Sequence, residues 1–299
     1  MLLRSAVLLL IAVTTCAAPP EASRLLLDAA RSGEAIVVVG ERGAILRSAD
    51  EGASWTLSPT SALATLTGVA FANDSTGWAV GHDGLILHSR DGGRTWAVQH
   101  ALADKEASFL DVCVLDAQRA IAVGAYGLYL STSDGGATWT SRRMGEDDFH
   151  FNRIARAADG TLYLAGEAGT LLRSTDAGET WDDIATDYDG SFFGLLPLTD
   201  SIVLAHGLRG RMFRSVDAGD DWQEVTSVQT GLLASAIRTR SGAVIVAGQA
   251  RNFLVSTDDG RTFQPWATAL TTAVAELLEL KDGSILAIGE AGLTRLPAP

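Results

Sequence analysis

The sequence predicts an all-β chain, a seven-bladed β-propeller of four-stranded antiparallel blades, from three observations. An eight-residue turn pattern recurs six times at nearly fixed spacing. A Gly-x-x-Gly segment recurs seven times, about ten residues ahead of it. The short apolar runs between them show no helical period of 3.6.

The fullest copy of the turn is Ser89-Arg90-Asp91-Gly92-Gly93-Arg94-Thr95-Trp96. Its acidic residue stands at Asp50, Asp91, Asp134, Asp176, Asp217 and Asp258, giving steps of 41, 43, 42, 41 and 41. Five copies end on Trp55, Trp96, Trp139, Trp181 and Trp222, and the sixth on Phe263. A period that regular means an array of one supersecondary unit. The leading glycine of the second pattern falls at 40, 81, 124, 166, 207, 248 and 289, so there are seven units and six boxes.

Taken in order, Met1 to Ala18 reads as a signal peptide, with Arg4, an apolar run from Ala6 to Val13, and small residues at its end. That run is too short to span a bilayer. Val13-Thr14-Thr15-Cys16 resembles a lipobox in which Cys16 would carry a lipid anchor; ordinary cleavage near Ala17 or Ala18 is the alternative. Both readings export the protein, to a periplasm in a bacterial host. Residues 19–23 form a tether, and 24–299 a single propeller domain expected to be a monomer.

The second unit shows the expected strands: Leu66–Ala72 innermost, then Gly77–Val80, Leu85–His88 and, outermost, Thr95–Gln99. The Gly-x-x-Gly segment turns the second strand into the third, where glycine supplies positive φ. The box turns the third into the fourth. The chain enters on the inner strand of blade one, about Arg24–Ala30, and leaves after the third strand of blade seven, Leu293–Leu296. The last blade is therefore expected to have three strands, unless residues 17–23 close it. Pro19 and Pro20 cannot donate to a ladder and fit an edge better than a central strand.

In the box, the Asp carboxylate is placed to accept from backbone N–H groups and from the Ser or Thr two residues before it. The box Trp then packs between neighbouring sheets. One carboxylate per turn is too few for a calcium loop, so no metal is expected. Counting back from the recurring glycine gives a polar column, Gly68, Asp111, Arg153, Gly194, Ser235 and Glu276. Asp111, Arg153, Ser235 and Glu276 should line the central channel, with Asp111 and Arg153 paired across adjacent blades. Phe109, Phe151 and Phe192 share a column with Leu66 and Leu233 and belong to the core.

Loops opposite the boxes vary between units, as binding loops on a rigid scaffold do. The candidate partner-binding residues there are Arg142, Arg143, Asp147, Phe149, His150, Tyr188, His82, Tyr126, Arg209 and Arg251. Arg47, Arg173 and Arg214, with His88, recur just before the box and suggest a basic stripe. A net charge of −13 argues against nucleic acid as a partner. The five His have no metal-ligand spacing, no nucleophile elbow occurs, and Cys113 sits alone in an apolar strand. No catalytic residue and no cofactor is expected.

The pattern Ser/Thr-x-Asp-x-Gly-x-Thr-Trp resembles the Asp box, or BNR repeat, of sialidase-type propellers. Sialidases share that motif alone, and they use six units rather than seven. The unit from Gly77 to Trp96 is similar to that of the photosystem II stability and assembly-factor family, a resemblance covering about residues 24–296. The resemblance implies an exported, non-enzymatic propeller that binds a membrane or envelope protein, as photosynthetic members do through an arginine-rich surface. The alternative is an exported sialidase-like glycoside hydrolase or a carbohydrate-binding propeller.

Overall fold

The computed structural model describes residues 24–144, 148–249 and 251–299. The signal peptide, Cys16, the tether and Asp147 lie outside the described residues. The described residues form twenty-seven strands, numbered β1–β27 in chain order, in seven antiparallel sheets. Six have four strands and the last has three, as the turn count predicts.

Blade two, β5 (Leu66–Phe71), β6 (Gly77–Gly81), β7 (Leu85–Ser89) and β8 (Ala97–Ala101), shows the common plan. Every residue of β6 is buried, because the second strand packs against a neighbouring sheet on both faces. The outer strand begins after the box Trp, two residues later than the sequence suggests. In four blades it has only two residues, as in β4 (Thr56–Leu57). Blade seven comprises β25 (Val274–Glu279), β26 (Ile285–Gly289) and β27 (Gly292–Leu296). Blade one opens on β1 (Leu26–Ser32). Among the described residues no strand is shared between the first and last blades; Leu26, Ile36 and Val38 pack against Leu280, Leu286 and Ile288 to close the ring.

In Gly-x-x-Gly the second glycine supplies the expected positive φ, and the leading glycine serves another purpose. Gly40, Gly124 and Gly207 are extended, with φ near −175°. What excludes a side chain is the incoming link: a Cβ at Gly40 would strike Leu25 O, and at Gly81 it would strike Thr65 O. Positive φ falls later in the turn, at Arg42 and Gly43, Tyr126 and Gly127, and Arg209 and Gly210. The amide of Gly127 donates to Phe149 O at 2.8 Å and that of Gly169 to Gly190 O at 2.7 Å. These turns and the links between blades therefore share one face, the loop face. On the opposite face the boxes meet the first hairpin turns, with Gly92 N donating to Ser75 O at 2.9 Å.

Candidate functional site: the channel, the blade joints and the loop face

The channel is built from a bulge. The pairing of the first two strands slips in every blade, for example between Leu26 and Asp28, Phe151 and Arg153, and Val274 and Glu276. A bulge re-aims the residue that follows it, here toward the ring axis. Arg153 of blade four lies at the centre, its Nη2 2.7 Å from Glu276 Oε2 of blade seven. Its Nε is 3.4 Å from Asp111 Oδ2, and its Nη1 is 3.7 Å from Asp28 Oδ1. Each carboxylate also holds an inner strand. Asp28 accepts from Val69 N at 2.7 Å and Asp111 from Ile154 N at 2.9 Å, both on the next blade. Glu276 accepts from Ser235 Oγ at 2.6 Å.

One guanidinium thus serves three buried carboxylates. Burial raises the Asp28 carboxyl well above its ordinary range, against the pull of Arg153, and raises Asp111 as well. Burial opposes the charge on Arg153 too, yet Glu276, Asp111 and Asp28 together hold its pKa above the usual value. In blade five the column residue is Gly194, and the ring of His206 takes the space a side chain would fill. His206 Nδ1 lies 3.0 Å from Leu233 O, and burial lowers its pKa to about 4, so it is neutral.

Sequence reasoning missed Asp28 and His206. Asp28 pairs with Val39 as Asp111 pairs with Val123. The first hairpin is one residue shorter, so a fixed offset from Gly40 lands on Leu27 instead. Alignment by strand pairing would have recovered it.

The boxes form closed hydrogen-bond circuits. In blade four, Ser174 Oγ donates to Asp176 Oδ1 at 2.8 Å and accepts from Gly178 N at 2.9 Å. Asp176 accepts from Thr180 N at 2.9 Å and Thr180 Oγ1 at 2.6 Å. These donors, the Thr180 hydroxyl foremost, hold the Asp176 pKa down to about 2; the Thr138 hydroxyl leads in lowering Asp134 to about 2, and the Thr262 amide in lowering Asp258 to about 2.

The recurring arginines are joint residues. Arg47 Nε donates to Gly92 O at 2.8 Å, Arg173 Nη1 to Ala218 O at 2.9 Å, and Arg214 Nε to Asp259 O at 2.8 Å. Each therefore reads the box of the following blade. His88 yields this task to Gln99, whose Nε2 donates to Gly135 O at 2.8 Å. In blade three Ser131 occupies the position, and Arg142 reaches Gly178 O and Glu179 O at 2.9 and 2.6 Å instead. Its guanidinium lies 4.6 Å from the centre of the Tyr129 ring. Arg142 is thus committed to a joint through its guanidinium, and it also lines one recess with Arg143 and Phe149.

The loop face gathers several of the remaining candidates. Tyr126 is exposed at φ 56° and meets His150 edge to face at 4.7 Å. His150 N donates to Glu167 Oε2 at 3.1 Å. Phe149 is exposed beside them, and Arg143 lies 3.4 Å from Asp148. Arg143, Met144, Phe149, Leu171, Trp181 and Ile184 border a recess of about 490 Å³. Tyr188 is half-buried, edge-on to Phe192 and tilted against Phe213, with Arg211 5.6 Å from its ring centre. His82, Arg209 and Arg251 are exposed on blades two, five and six, separate from this cluster.

Cys113 is a buried free thiol, its pKa pushed up to about 12 by burial. Among the described residues no group of three or more His, Cys, Asp or Glu could hold a metal ion. Among them too, no helix is long and apolar enough to cross a membrane.

A family model described as photosynthesis system II assembly factor YCF48 matches residues 99–245. No curated protein sequence matches the chain. The structure of YCF48 bound to D1 peptide superimposes with a TM-score of 0.76 at 18% identity, covering 93% of this chain and 94% of that one. YCF48 from Cyanidioschyzon merolae gives 0.73 at 16% identity, covering 93% and 96%. The WD40 propeller domain of Doa1 gives 0.71 at 11% identity, covering 91% and 92%, so the ring architecture extends beyond the Asp-box proteins. The chain is a seven-bladed Asp-box β-propeller like those of the photosystem II assembly factors, with their repeat recognised over residues 99–245.

Proposed function

We propose that this protein is an exported, non-enzymatic scaffold that binds a membrane or envelope protein through its loop face. The observation that carries the reading is where the exposed apolar side chains fall. Of the nine large ones among the described residues, Leu25, Leu63, Tyr126, Phe149, Leu208 and Val228 lie on the loop face. Apolar and aromatic tips on a rigid rim suit recognition of another protein. The left-handed residues of the turns, including Arg42, Tyr126, Arg209 and Arg251, project from the same rim. The likeness to YCF48, solved with a D1 peptide, supports a peptide segment of a larger protein as the ligand. Export and the anchor at Cys16 rest on the leader sequence.

The test is affinity capture from solubilised envelope, comparing wild type with Tyr126→Ser/Phe149→Ser/Arg209→Ala and with the box-face control Arg90→Ala. A specific partner should be lost with the first variant and kept with the second. Equal retention by both would reject the loop face. Cys16→Ala should move the protein from the membrane fraction to the soluble one; an unchanged distribution would reject the anchor.

A further inference from the structure

Six of the seven blade joints are filled by the box of the following blade. The box aromatic packs against the second strand of the blade before it: Trp96 with Val37, Trp139 with Trp78, Trp181 with Ile121, Trp222 with Tyr163, Phe263 with Leu204 and Trp55 with Leu286. The joint from blade six to blade seven has no such residue, because blade seven carries no box. A recess of about 510 Å³ lies there, bordered by Arg238, Val255, Asp259, Glu279, Gly283 and Pro299.

Pairing registers show that this recess matches a box seat. Val255 pairs with Ile245 as Arg47 pairs with Val37. Glu279 pairs with Ile285 as Phe71 pairs with Gly77, and Phe71 meets Trp96 edge to face at 5.8 Å. Val255 also stands where Arg47, Arg173 and Arg214 read the next box, and no next box exists for it to read. Beside the recess, β27 pairs only with β26 among the described residues, which leave its outer edge open. In four other blades the carbonyl matching that of Leu293 accepts a backbone N–H as the chain leaves the outer strand: Ile45 from Ser58 at 2.8 Å, Tyr129 from Arg142 at 3.0 Å, Leu171 from Ile184 at 2.9 Å and Phe253 from Trp266 at 2.8 Å. By the same register the Arg295 N–H points outward.

We propose that this edge and recess form a second docking site, which accepts an extended segment of a partner protein as the fourth strand of blade seven. Its chemistry is that of the missing box: a tight Gly-containing turn, an aromatic side chain for the recess, and two or more residues of free backbone to pair with Leu293 and Arg295. Strand addition at an open edge takes its affinity from main-chain hydrogen bonds and its selectivity from side-chain pockets. Residues 1–23 carry no aromatic side chain and no box, so the chemistry of the missing box is not theirs. The site lies on the box side of the ring and does not depend on the loop-face reading.

The probe is a fluorescent peptide reproducing residues 89–101, the box and outer strand of blade two, titrated against the full chain by anisotropy. It should bind saturably, and Trp96→Ala in the peptide should weaken it at least about tenfold. In the protein, Arg295→Pro removes the edge N–H and should weaken binding similarly, with the melting temperature checked in parallel. Val255→Arg restores the donor that reads a box and should tighten binding. Absence of binding to the full chain, or binding indifferent to both the peptide's Trp and Val255→Arg, overturns the proposal.

Discussion

The box face and the loop face are made by the same repeating backbone, yet they use their polar groups in opposite ways. On the box face each Asp accepts from its own turn, and arginines or their substitutes on the preceding blade bind the turn's carbonyls. Little is left over for a ligand. On the loop face the turns hold left-handed residues whose side chains point outward, and apolar tips stand exposed. Both faces repeat their backbone turns, but on the box face the side chains recur too, whereas on the loop face those between and after the recurring glycines vary. The seventh joint breaks this division, since it belongs to the box side but lacks the box.

Stability measurements can sharpen the contrast, beginning with the largest effect. At the ring axis, Arg153→Met leaves three buried carboxylates without their cation and should cost about 3–5 kcal/mol in denaturant unfolding. By the same logic Asp28→Asn, which keeps an acceptor for Val69 N, should leave stability unchanged or higher at neutral pH. Trp96→Ala, at the best buried box aromatic, should cost about 3–5 kcal/mol. A smaller loss would show that the joint can relax around the void.

Arg214→Met should cost about 1.5–3 kcal/mol, because it removes a charged donor from the next box. The same change at exposed Arg209 should stay within about 0.5 kcal/mol. Equal effects at the two positions would erase the distinction between joint and display residues.

Acid should separate the box circuits from the axis. The box carboxylates have folded pKa values below their ordinary value of 3.8, at about 2 for Asp134, Asp176 and Asp258. Their contribution is complete above the unfolded value and is lost as pH falls through about 4 to about 2. Asp28 and Asp111 shift the other way, so their protonation relieves repulsion as pH falls below their raised values. Asp176→Asn should therefore flatten the acid limb of a melting-temperature profile, whereas Asp28→Asn should flatten the part nearer neutrality. Smallest of all, Tyr126→Ser should leave melting unchanged and report only through partner capture.

Much of this molecule was legible before it was folded. The recurring Asp and Gly predict seven units, the box as a folding device, and a last blade of three strands, because turn geometry constrains residue type locally. The core columns of Phe109, Phe151 and Phe192 follow from the same alignment, and all three are buried. Less could be read about direction. Arg142 stands next to a variable link, but its guanidinium turns to the following blade, since Ser131 leaves that box unread.

The sequence by itself determined the repeat, the strand order and the absence of a seventh box, all of which depend on near neighbours along the chain. Only the tertiary structure decided which polar groups meet across the ring. Asp28, Asp111, Arg153 and Glu276 come from four different blades, and closure of the ring brings them to one axis. The open edge beside the empty seventh seat is likewise a property of closure, visible only once the other six seats are seen filled.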